Sequence, residues 1–268
     1  MNFIGEIAAL ATSFLFALTA LIFTATGRMI GSQATNRIRL LFALGYLVIL
    51  NFIIFREPLP FSAEASRWLW LSLSGVIGLS LGDTFFFQSL YSVGARLGSL
   101  LLSLAPIFGS IMAWLFFGET LSPMQIMGII LALAGIGWVV LSHEEPPDTP
   151  QGHTKRGLFF GVLAGLGQAA GLVLSKQALF GGFSPFQANA IRMLAAVIFT
   201  WLWTAYEGKV AATFTAVREN SRALRLIALG AFLGPLVAVT SSLLAVQHAE
   251  IGVASTLMAW TKSHTFFC

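Results

Sequence analysis

The chain has 268 residues, of which 57% are hydrophobic and only 10% charged, with a mean hydropathy of +0.84. A soluble domain carries about 25% charged residues, so this much apolar surface excludes a water-facing globule. The formal net charge of +4 sits on lysines and arginines of loops and helix ends, where it bears on orientation and lipid headgroups, and no basic run supports nucleic-acid binding.

A membrane-spanning helix needs roughly 20 apolar residues. In chain order such runs lie at 3–26, 36–55, 69–91, 97–117, 124–142, 157–178, 188–205 and 224–247, and a ninth begins at Ile251. The runs are continuous instead of alternating, and about twice the length of a barrel strand, so the predicted fold is all-α, a polytopic membrane helix bundle. The first run lacks the basic start, short apolar core and cleavage site of a secretory signal, and reads as a retained first helix. With Cys268 as the single cysteine, an intrachain disulfide and a cysteine metal cluster are excluded.

The one long polar break is 143–156, HEEPPDTPQGHTKR, with three prolines and the charges of Glu144, Glu145, Asp148, Lys155 and Arg156, which reads as a linker. The segments on either side resemble each other. Asn36-Arg37-Ile38-Arg39-Leu40-Leu41-Phe42-Ala43 agrees with Asn189-Ala190-Ile191-Arg192-Met193-Leu194-Ala195-Ala196 at five of eight positions, an offset of 189 − 36 = 153. Ser99-Leu100-Leu101-Leu102-Ser103-Leu104-Ala105 aligns with Ser255-Thr256-Leu257-Met258-Ala259-Trp260-Thr261 at 255 − 99 = 156. Similar offsets imply a duplication. Five helices precede the linker, an odd number, so the second copy enters the membrane from the opposite side, an inverted repeat as in many secondary transporters.

Residues 88–141 carry a Gly-Ala pair (Gly94, Ala95) before a small-residue helix, a mid-helix proline (Pro106), a closing Gly-Glu (Gly118, Glu119) and a glycine-bearing fifth helix (Gln125, Gly128, Gly135). In these features the chain resembles the EamA-type repeat of the drug/metabolite transporter superfamily. The resemblance implies ten helices in two five-helix repeats, here 1–142 and 157–268, and transport of small metabolites, often coupled to protons or exchange. Past Thr261 the sequence departs from that pattern. Where a proline, a Gly-Glu and a tenth helix are expected it reads Lys262-Ser263-His264-Thr265-Phe266-Phe267-Cys268, so about nine of the ten helices are expected and 262–268 reads as a divergent tail of a C-terminally truncated chain.

Ionisable groups are costly inside a bilayer, so depth ranks the candidates. Asp83 ranks first, eight residues before Tyr91 and thus about 12 Å from the nearer end of its run at 1.5 Å per residue. It follows Gly82 and precedes Phe85-Phe86-Phe87 and Gln88. It reads equally as a proton-titrating or cation-binding carboxylate and as one that pairs with a buried arginine or caps backbone. Arg39 and Arg192, at equivalent positions of the repeat, suit an anionic group, although long basic side chains near helix ends more often snorkel to the interface, and Lys176 is judged alike. Gln88 and Gln168 could bind substrate or bridge helices. Glu6 is expected at headgroup depth, and Glu119 in a structural contact.

Pro106, ten residues into its run, is expected to kink the helix, with Ser99 and Ser103 lining a cavity near the freed carbonyls. Gly157, Gly161 and Gly165, and Gly75, Gly78 and Gly82, mark faces for close helix packing. Loop arginines and lysines favour an external N-terminus by the positive-inside rule, against the cytoplasmic one expected for the family.

The expected function is that of a secondary transporter moving a small organic metabolite, an amino acid or similar solute, by alternating access in a plasma or bacterial inner membrane. It needs no cofactor or metal, its partners are substrate and lipid bilayer, and a homodimer is compatible with the sequence. The alternatives are a membrane-embedded enzyme acting on lipid or isoprenoid substrates and a non-transporting truncated paralogue. The four histidines, at 143, 153, 248 and 264, form no metal-ligand pair, and no Gly-rich phosphate loop argues for ATP drive.

Overall fold

A computed structural model describes residues 4–120, 122–141 and 153–264. The described residues form helices and turns with no strand, in the order α1 (Ile4–Ile30), α2 (Ser32–Phe55), α3 (Ala65–Ser74), α4 (Asp83–Leu102), α5 (Ala105–Phe117), α6 (Pro123–Leu141), α7 (His153–Leu179), α8 (Pro185–Tyr206), α9 (Val210–Arg218), α10 (Ser221–Ala231), α11 (Val239–His248) and α12 (Ile251–His264). Two wider π-helical stretches, Gly75–Gly82 and Phe232–Ala238, join α3 to α4 and α10 to α11. Eight helices are long and apolar enough to cross a bilayer: Ile4–Ile30, Ser32–Phe55, Ala65–Gly94, Leu97–Phe117, Pro123–Leu141, Lys155–Leu179, Pro185–Tyr206 and Ser221–His248. They fall on the eight complete runs read from hydropathy. The 143–152 part of the expected linker and residues 265–268 of the expected tail lie outside the described residues, whereas His153–Arg156 begin α7.

Local chemistry sets the helix boundaries. Gly118, with φ +65°, ends α5 in a left-handed turn, and Ser122 opens α6 through a capping box: its Oγ accepts from the Gln125 amide at 3.2 Å while its own amide donates to Gln125 Oε1 at 2.7 Å. Asn220 caps α10 by accepting from the Ala223 amide at 3.0 Å. Gly94, at φ +80°, interrupts α4 in a conformation that other residues adopt only with strain. The chain restarts at Ser103-Leu104, so Pro106 lies in the first turn of α5, where its missing N–H costs nothing, and does not kink a continuous helix.

Lipid is as apolar as leucine, so helices in a bilayer associate through close backbone approach and interhelical hydrogen bonds. A Cβ on Gly75 would collide with the Arg192 carbonyl oxygen, so only glycine lets the π-helical stretch lie on α8. Gly78 and Gly82 pack on Gly171 and Gly167 of α7, while Gly157 and Gly161 take up the Val93 and Leu101 side chains of α4. Ser74 and Ser175 share a hydrogen bond of 2.7 Å, as Ser80 and Thr200 do at 2.6 Å. The periphery is apolar: α6 buries no residue, and Met124, Leu131, Trp138 and Leu141 stand outward.

Candidate functional site

A cavity of about 120 Å³ lies at the centre of the bundle, lined by residues from α1, α2, α4, α5, α7, α8, α11, α12 and both π-helical stretches. Since a single water needs at least about 10 Å³ measured in this way, the space admits several waters or one small solute. Of the residues singled out in the sequence, Arg39, Asp83, Ser99, Pro106, Gln168 and Arg192 line it. Gln88 and Ser103 do not: both are half-buried, and Ser103 Oγ donates to the Ser99 carbonyl at 3.2 Å, one turn back in its helix.

Arg39 and Arg192 each lie seven residues beyond the start of their helices (39 − 32 and 192 − 185), about 10 Å deep at 1.5 Å per residue. Successive spans alternate in direction, so α2 and α8 start from opposite faces of the bundle. Neither arginine snorkels: they are 8% and 1% exposed. The expectation of interfacial side chains fails because both point inward along the faces where α2 and α8 pack on their neighbours, instead of toward headgroups.

Arg39 has a carboxylate partner. Its guanidinium forms an ion pair with Asp83, and its Nε donates to Asn36 Oδ1 at 2.8 Å. Its Cζ lies 5.3 Å from the ring centroids of both Phe23 and Phe87, near enough for cation–π attraction. Asp83 begins α4 where the π-helical stretch ends, a geometry common where a helix wall is shaped for a ligand. Asn36 Nδ2 donates to Thr84 Oγ1 at 3.4 Å.

Arg192 is differently placed. Its Nε and Nη1 have no hydrogen-bond partner, and neither has Oδ1 of Asn189 three residues earlier. Asn189 Nδ2 donates to the Pro235 carbonyl at 2.8 Å and to Thr240 Oγ1 at 2.9 Å, which ties α8 to the stretch that Pro235 keeps from regular α-helical bonding.

Other polar candidates lie away from the cavity. Lys176 Nζ pairs with Glu119 Oε1 at 2.7 Å and donates to the Ala249 carbonyl at 3.2 Å, joining α7 to the α5–α6 and α11–α12 connections at one face. Lys176 is therefore held in an ion pair instead of snorkelling. At the opposite face Arg37 Nη2 meets Glu207 Oε2 at 3.0 Å, and Lys209 Nζ lies 3.2 Å from the same oxygen. Burial alone would raise the Glu207 carboxyl, but hydrogen bonds from Lys209 and Trp203 and the charges of Lys209 and Arg37 outweigh it and hold the group below its ordinary value. Glu6 is half-buried and its Oε2 has no partner.

The aromatic lining from α1, Phe16 and Phe23, and the lining from the second half, Ser242, Ser255 and Met258, were not selected from the sequence. Ser255 aligns with Ser99 in the sequence match of 99–105 with 255–261, a signal that could have found it, whereas apolar residues on a membrane helix give no sign of which ones face a cavity.

An all-helical bundle with eight apolar spans, seven of which line a cavity that holds charged groups, defines a multi-pass integral membrane protein. Residues 3–141, more than half of the chain, match the EamA-like transporter family, and the chain belongs to that family, a group of membrane transporters of the drug/metabolite superfamily. It is 26% identical over 135 residues to a WAT1-related chloroplastic protein of Arabidopsis thaliana, a match that covers 48% of this chain and 31% of that protein. The chain thus spans about a third of the length of the curated relative it matches. A solved crystal structure aligns over 99% of this chain and 97% of its own at a TM-score of 0.55 and 16% identity, a likeness of fold.

Proposed function

We propose that the chain is a secondary carrier that moves a small organic solute across a plasma or bacterial inner membrane by alternating access of two five-helix halves around the central cavity. The observation that carries this reading is the cavity itself, enclosed by helices from both segments and holding buried charges well inside the spans, where an idle polar group would be costly in lipid. The matching helix irregularities support it. Each segment places a π-helical stretch against the cavity, at Gly75–Gly82 and Phe232–Ala238, and each has an asparagine that donates to a threonine just beyond that stretch, Asn36 to Thr84 and Asn189 to Thr240. π-Helical turns within longer helices are frequent at functional sites.

In this reading the ion pairs at the two faces are the contacts that open in turn, Lys176–Glu119 on one side and Arg37–Glu207 on the other. The test is solute flux into liposomes reconstituted with the purified chain, with and without an imposed proton gradient. Saturable flux of a small solute above that of protein-free liposomes is expected. A panel of amino acids, organic acids and sugars that all move only at the protein-free rate would sink the proposal.

A further inference from the structure

Among the described residues lining the cavity, three are charged: Arg39, Asp83 and Arg192. Asp83 is paired with Arg39 and also attracts Arg192 through space, so one carboxylate serves two guanidinium groups and the lining carries a net charge of 2 − 1 = +1. An uncompensated charge in a medium of low dielectric is costly, and a protein that keeps one has a use for it.

The two segments show where the missing negative charge belongs. In the first, Asn36 reaches Thr84, and the residue before that threonine, Asp83, pairs with the arginine three residues after the asparagine, Arg39. In the second, Asn189 reaches Thr240, the residue before it is Val239, and the arginine three residues after the asparagine is Arg192. The offsets are 239 − 83 = 156 and 192 − 39 = 153, those of the two sequence matches. Valine occupies the carboxylate's position, and the hydrogen bonding differs as well: Arg39 Nε donates to Asn36, whereas Arg192 Nε, Arg192 Nη1 and Asn189 Oδ1 all lack partners. Arg192 is 1% exposed and lines the cavity with Val239.

We propose that Arg192 receives the carboxylate of a small organic monoanion, which supplies from solution the charge that Asp83 supplies to Arg39. This rests on the carrier reading above and names its substrate class. A carboxylate brings charge and acceptor lone pairs together, meeting both of the arginine's deficits, while a neutral solute or a zwitterion leaves the surplus charge in place. A single surplus charge matches a monoanion, since a second negative charge would stand uncompensated against Phe16, Leu102, Leu172, Met193 and Met258. The same apolar walls select an organic body over a bare halide.

The test is binding to the purified full chain in detergent micelles, in chloride-free Tris-sulfate buffer, using isosteric pairs: acetate and acetamide, isovalerate and isovaleramide, phenylacetate and phenylacetamide. At least one apolar carboxylate is expected to bind roughly tenfold or more tightly than its amide. Arg192→Met should reduce that ratio to about one, and Val239→Asp should do the same by giving Arg192 an internal partner. Size-exclusion profiles identify any variant that fails to fold, in which case the other decides. The assignment is overturned if no carboxylate is preferred over its amide, if chloride binds as tightly as the organic anions, or if a folded variant retains the full ratio. Flux in liposomes separates this from the carrier reading. Binding through Arg192 without flux leaves the anion site standing and sinks the carrier, whereas flux of uncharged solutes with no carboxylate preference does the reverse.

Discussion

Arg39 and Asp83, 44 residues apart in sequence, form an ion pair between α2 and α4 in which both side chains are about one-tenth exposed. The pair joins the helix that follows the α1–α2 turn to the one that begins at a π-helical stretch, and Phe23 and Phe87 flank its guanidinium. Its energetics follow from burial: removing one partner strands a charge, whereas removing both does not.

Asp83→Asn is therefore expected to lower stability by about 3 kcal/mol, and Asp83→Leu combined with Arg39→Met to recover most of that loss, in unfolding of the micelle-solubilised protein. If Asp83 is the coupling group, Asp83→Asn also abolishes gradient-driven flux while leaving exchange down a solute gradient. Full gradient-driven activity in Asp83→Asn would remove Asp83 from that role.

Gly75→Ala drives a methyl group into the Arg192 carbonyl oxygen, so α8 must withdraw from the π-helical stretch. A loss of about 1–3 kcal/mol is expected from such overpacking against backbone. Gly45→Ala is the control, inside α2 with no atom within 4 Å of the added carbon, and a gain of about 0.5–1 kcal/mol is expected there from helix propensity. Equal unfolding midpoints for the two variants would refute the close-packing account.

The Lys176–Glu119 pair, with side chains 14% and 17% exposed, ties α7 to two connections at one face. Glu119→Gln should cost about 1–2 kcal/mol, between the values for exposed and buried pairs, and should raise the accessibility of a cysteine introduced at Ser255 to a thiol reagent added from that face. Unchanged labelling would show that the pair does not close the cavity.

Glu207 provides a pH dependence outside the spans. Its carboxyl is held below the ordinary value in the folded protein, so its contribution is fully present above the unfolded-state value and is lost as pH falls through the lower, folded one. Stability should thus decline only once pH falls below the ordinary carboxyl value of 4.5, and Glu207→Gln should flatten that part of the profile. An identical acid limb in wild type and variant would show that Glu207 contributes nothing to it.

Hydropathy and chain length alone placed the eight spans, because a lipid-facing helix must be apolar for some 20 residues whatever it packs against. The match of 36–43 with 189–196 likewise marked Arg39 and Arg192 as a pair, and depth within its run marked Asp83. Tertiary structure alone decided their relationship: α2 brings Arg39 to Asp83, while Val239 stands where Arg192 would find its carboxylate. It also moved Gln88 off the cavity, set Pro106 at a helix start and brought Phe23 beside the guanidinium. Spacing along a helix tells which residues share a face, but every face of a membrane helix is apolar, so hydropathy cannot say which one meets lipid, a neighbour or the cavity. Only the packing of the helices on one another settles that.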